Sequence, residues 1–192
     1  MGEAGARSLR ADAERSVRAI LEAAERVLAE DPNASMEQIA AVAGVARTTI
    51  HRRFASRQAL TDALAASAAR RLAQAVDDGR PDTAPPLVAI HRITANVLRV
   101  KSAWAFALGL PEGDEDGEAA ALHRDIAERC VALLRRAQQD GLVDAAADLD
   151  WVRRFYYALL GESLTEAAEG ADPDVLAARV VDTLLHGAGP RA

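Results

Sequence analysis

Between Ser35 and Arg57 the chain concentrates side chains suited to recognising a polyanion: Ser35, Arg47, Thr48, Thr49, His51, Arg52 and Arg57. A guanidinium fork matches phosphate and guanine edges bidentately, and hydroxyls and imidazole add single hydrogen bonds. Residues 44–57 hold four arginines (Arg47, Arg52, Arg53, Arg57) and no acid. Arg47 with His51, and Thr48 with Arg52, are four residues apart, so on a helix each pair shares an outward face. Ile50 and Phe54, with Ala46 one turn earlier, supply the opposite, apolar face. A helix anchored on one side and offering cations on the other suits a DNA major groove. On this reading Arg47, Thr48 and Arg52 face bases or adjoining phosphates, while Ser35, Thr49, His51 and Arg57 hold the DNA backbone.

The elements that must position these groups are two short helices and a tight turn. Ser35 with Gln38 three residues later forms a capping box that opens the first helix. Ala40 is small enough for a close crossing. Gly44 supplies the left-handed backbone of the turn, and Val45 tucks it inward. No other constellation competes. The sequence has no GxSxG, phosphate loop or HExxH, so no enzyme is expected. His91 and His123 lack a third ligand at recognisable spacing, so neither a metal nor a cofactor is proposed. Cys130 stands alone, which excludes an internal disulfide and reads as a buried structural cysteine.

A net charge of −6 is unusual for a DNA binder, but its distribution is uneven. Residues 1–60 hold nine arginines against eight acids, so all the excess acid lies beyond residue 60. A nucleic-acid footprint is a local basic patch, and an acidic remainder would orient that patch towards DNA. The first residues are polar, with no apolar stretch typical of export, and no apolar run is long enough to span a bilayer. A cytoplasmic protein without membrane contact is therefore expected.

Apolar periodicity is helical nearly throughout, which predicts an all-α fold. Helices are expected over 11–29, 36–43, 46–53, 57–78, 87–101, 102–109, 118–139, 149–169 and 173–186. Gly79 and Pro81 stop the fourth, Leu110-Pro111 and an acidic loop over 113–118 interrupt the middle, and Asp148 and Asp172-Pro173 open the last two. Residues 87–101 are apolar on two faces, as a central helix would be. The natural division is 1–56 and 57–192.

The stretch from Ile20 to Leu64 resembles the DNA-binding domain of the tetracycline-repressor (TetR) family of transcriptional regulators. Ser35, Ile39-Ala40, Ala43-Gly44-Val45, Thr49-Ile50, Phe54, Ser56 and Leu60 fall in step with that family's pattern. The chain departs from it at His51, Arg53 and Arg57-Gln58. The resemblance implies nine helices in a two-fold symmetric dimer. Its first three helices form a helix-turn-helix domain that binds a palindromic operator in double-stranded DNA. The larger helical domain binds a small-molecule effector and dimerises, and repression is the family's default.

Residue chemistry in the larger domain supplies candidates for both roles. A homodimer interface is expected on the last two helices, through Phe155, Tyr156, Leu159, Ser163, Leu176, Val180 and Leu184. A small-molecule pocket is expected among helices 87–101, 102–109 and 118–139, near His91, Asn96, Trp104, Phe106 and His123. The alternative is a helical regulator or interaction protein controlled by a protein partner, with no small ligand.

Overall fold

The computed structural model describes residues 3–100 and 117–189. Among them are eight helices and no strand: α1 (Glu3–Glu30), α2 (Met36–Val42), α3 (Arg47–Arg53), α4 (Arg57–Asp78), α5 (Pro86–Arg99), α6 (Glu118–Gln139), α7 (Leu149–Ala168) and α8 (Pro173–Ala188). The short helix expected over 102–109, with Trp104 and Phe106, and most of the acidic loop lie outside the described residues. α1 begins well before residue 11, where the expected helix starts. Residues 3–10 are mostly Ala, Glu, Leu and Arg, good helix formers, with no proline to stop the helix.

The chain forms two compact units, 1–66 and 67–192. The division falls inside α4, a continuous helix shared by both. In the first unit Ile20, Ile39, Ile50, Leu60 and Leu64 are fully buried, with Ala40 and Phe54 beside them. The cap at Ser35 is the expected box: Gln38 N donates to Ser35 Oγ at 3.2 Å, and Ser35 N donates to Gln38 Oε1 at 2.6 Å. Gly44 has φ +67°, and a Cβ there would touch nothing within 4 Å. Glycine at this position serves backbone conformation, not space.

In the second unit α5 is central, packing on α6, α7 and α8 with Ile90, Ile93, Thr94, Val97 and Leu98 buried. The turn before it is tightly made. A Cβ on Gly79 would lie 2.3 Å from Ile93 Cγ1, so the end of α4 approaches α5 as only glycine permits. Arg136 of α6 donates to the carbonyls of Pro81 and Ala84 and holds the connecting loop. Asp148 and Asp172 cap α7 and α8 through first-turn N–H groups.

Candidate nucleic-acid interface and effector cavity

On α3, Ile50 is fully buried and Phe54 nearly so, which fixes the opposite side of the helix outward. Arg47, Thr48, His51 and Arg52 are exposed, and Thr49 is half-buried. Two of these groups have a protein partner that the sequence did not disclose. Glu37, in the first turn of α2, places Oε1 3.0 Å from Arg47 Nε and 3.4 Å from His51 Nε2. Hydrogen bonding to the backbone at the helix start, then His51, then the Arg47 charge hold the Glu37 carboxyl below the usual carboxylate range. Glu37 and Arg47 are ten residues apart on different helices, so no local pattern announces the contact.

Arg57 is differently engaged. It donates from Nη2 to the Pro32 carbonyl at 2.6 Å and from Nη1 to the Ala34 carbonyl. The sequence placed Arg57 on the DNA backbone. The structure uses its fork on the protein's own backbone, fastening the turn between α1 and α2. Arg53 is part-buried, and its Nε has no hydrogen-bond partner. The outward basic face therefore rests on Arg47 and Arg52.

The second unit contains a cavity of about 40 Å³ with walls almost entirely of carbon. Leu72 and Val76 of α4, Ile90, Ile93 and Val97 of α5, and Ile126, Leu133 and Leu134 of α6 line it, with Leu160 of α7 and Leu184 of α8. Four polar side chains reach the lining: Arg129, Cys130, Tyr156 and Tyr157. Burial pushes the Cys130 thiol up to about 11 and both tyrosine hydroxyls well above their ordinary range. The three lining groups with protons to lose thus stay neutral. Arg129 carries the one charge in the described lining and directs it to Asp77, at 2.6 Å, with Asp82 and Asp125 each at 3.8 Å.

The expected pocket residues fare unevenly. α5 and α6 do wall the cavity, but His91 and His123, both half-buried, are not among its lining. Asn96 donates to the Ala75 carbonyl at 3.1 Å and accepts from Arg99 at 3.2 Å, so it joins α5 to α4. A helix apolar on two faces gives each polar residue two possible directions, and here the apolar neighbours Ile90, Ile93 and Val97 took the cavity side. Trp104 and Phe106 lie outside the described residues. The sequence signal for the α6 side of the lining is the alignment of Ile126, Cys130 and Leu133 on one stripe.

The family model described as bacterial regulatory proteins, tetR family, matches residues 20–64. The HTH-type transcriptional repressor LfrR of Mycolicibacterium smegmatis is 31% identical over 185 residues, covering 96% of this chain and 93% of that protein. The chain belongs to the tetR family of bacterial regulatory proteins. The crystal structure of LfrR in complex with proflavine matches it with a TM-score of 0.74 at 30% identity, over 93% of this chain and 99% of that one. PfmR, a TetR family regulator from Thermus thermophilus, matches with a TM-score of 0.75 at 18% identity, over 90% of this chain and 99% of that one, a likeness of fold. This tetR-family protein is a DNA-binding transcriptional regulator. No helix among its described residues is long and apolar enough to cross a membrane.

The last two helices of this tetR-family regulator divide their apolar residues between two directions. Tyr156, Ser163, Leu176, Val180 and Leu184 are buried in the protomer's own core. These five were expected at a dimer interface; within the protomer each is buried. Only Phe155 and Leu159 of that set keep part of their surface exposed. Trp151 and Val175 are exposed beyond half, and the Trp151 ring stacks on Phe155 with centroids 5.4 Å apart. Outward apolar surface is thus carried by Trp151, Phe155 and Leu159 on α7 and by Val175 on α8.

Proposed function

We propose that this regulator is a repressor that binds an inverted-repeat operator as a homodimer and is released by a small molecule. In this reading residues 1–56 contact DNA, with Arg47, Thr48 and Arg52 at bases and Ser35, Thr49 and His51 at phosphates. The outward face of α7 and α8, through Trp151, Phe155 and Leu159, meets the partner protomer. Residues 57–192 hold the effector in the carbon-lined cavity.

The observation that carries the effector reading is the place of α4. It supplies Leu72 and Val76 to the cavity and continues without a break into the unit that holds the helix-turn-helix. Arg129 reinforces the connection, because it reaches the cavity lining and ion-pairs with Asp77 in the last turn of α4. A cavity of about 40 Å³ has room for roughly three water molecules. An organic effector larger than that moves the walls, and α4 and Arg129 are among them. A ligand shifts DNA affinity only by binding the two states unequally, and wall displacement provides that inequality. The proflavine complex of LfrR supports a planar aromatic compound as the first class to try.

Selection of bound fragments from random duplex DNA supplies the operator. Titration of the bound complex with proflavine and related aromatic compounds then tests release. Expected are an inverted repeat with half-sites about one helical turn apart or slightly more, and loss of operator binding on ligand addition. The double variant Arg47→Ala with Arg52→Ala should lose operator binding. Undiminished binding by that variant overturns the assignment of α3 as the reading helix.

A further inference from the structure

Glu37 puts a negative charge beside the face that must approach DNA phosphates. Such a charge repels the backbone and lowers affinity for every sequence. The ion pair itself does little for stability: the Glu37 and Arg47 side chains are 42% and 74% exposed, and pairs so exposed contribute little. The carboxylate stands on the Nε side of the Arg47 guanidinium, 3.0 Å from that atom. The contact is an ion pair at Nε, not an aligned hydrogen bond, and it leaves the two terminal nitrogens for another partner. His51 Nε2 lies 3.4 Å from the same carboxylate oxygen, which fixes the oxygen between the two α3 side chains. An arginine reading guanine end-on uses its terminal nitrogens on O6 and N7 and needs a fixed plane to reject other bases.

We propose that Glu37 is a positioning residue for sequence readout: it holds the Arg47 guanidinium in one orientation, so that α3 gains discrimination at one base pair of each half-site and gives up some general affinity for DNA. The proposal rests on Arg47 reading a base, as set out above.

The test uses the full-length protein and its selected operator. Dissociation constants are measured for the operator, for each single base-pair substitution in one half-site, and for a random duplex. Glu37→Ala should bind the random duplex more tightly and lose about fivefold in discrimination at one base pair. Glu37→Gln removes the same charge at nearly the same shape, and with it the ion pair to Arg47. It should share both the tighter random-duplex binding and most of the lost discrimination. In an Arg47→Ala background, Glu37→Ala should change discrimination at no base pair. A uniform change across all duplexes in Glu37→Ala, with Arg47→Ala still losing one base pair, overturns this proposal alone. If Arg47→Ala itself alters no base preference, the assignment of Arg47 to a base fails and this proposal fails with it.

Discussion

Thr94 has one hydroxyl proton, and the Ile90 carbonyl 2.7 Å away takes it. Tyr156 Oη, also 2.7 Å from Thr94 Oγ1, must then be the donor in that contact. Two substitutions should differ for this reason. Tyr156→Phe leaves Thr94 satisfied and should cost about 1 kcal/mol, whereas Thr94→Val strands a buried tyrosine hydroxyl and should cost about 1–3 kcal/mol. Urea denaturation gives both values, and the reverse order would show the donor assignment to be wrong. Cys130 yields a second measurement. With burial pushing its thiol up to about 11 against an ordinary 9.0, the thiolate fraction near pH 8 falls about a hundredfold. An aromatic disulfide reagent should label the native protein at least that much more slowly than the unfolded chain. Equal rates would mean that the thiol is not held as the structure shows. At this scale the local devices were legible: the Ser35 box, the glycine at 44, and the aspartates at 148 and 172 all act through neighbours within a few residues. The pairing of Glu37 with Arg47 and the clamp from Arg57 were not, because they depend on how separate helices cross.

α7 and α8 show why amphipathicity alone does not locate an interface. Both helices carry apolar residues on more than one side, and the sequence gives no sign of which side the protomer itself uses. Leu184 is fully buried and Leu159 only partly, so charge at the two positions should act differently. Leu184→Glu should unfold the protomer, since an uncompensated charge in a core costs several kcal/mol, or about 3 and upward. Leu159→Glu should keep its helical circular dichroism and sediment as a monomer with weakened operator binding. A folded Leu184→Glu protein, or a dimeric Leu159→Glu one, would reverse this assignment. The junction of α4 and α5 offers a stricter steric case. Gly79→Ala must displace Ile93, both its side chain and, with the backbone nitrogen only 3.1 Å from the new Cβ, its main chain. The expected loss is about 1–3 kcal/mol, as for other overpacked sites, read as a lower melting temperature. The two-sided apolar pattern over 87–101 did identify α5 as central. It did not say which side would face the cavity, because that depends on where α4 and α6 lie.

Across the whole chain, the all-helical class and the helix-turn-helix followed from periodicity, caps and the Gly44 turn, all of which are local. The cavity was harder to read, since a void is set by the residues that fail to meet across it. Charge behaves as a property of the entire molecule. The net −6 opposes DNA while the local arginines favour it, so operator binding should weaken at least about tenfold between 50 and 200 mM salt. Anisotropy titrations across that range check it, and a flat response would point to a contact without phosphates. The cavity has a further consequence, in volume. A carbon-walled space holds water poorly, and unfolding abolishes it. The loss of such space on unfolding contributes to the volume decrease that lets hydrostatic pressure unfold proteins. Compression therefore acts on the same empty space as an effector, with opposite sign. A compound that fills it should raise the pressure at which the second unit loses its structure, even where it leaves the melting temperature little changed.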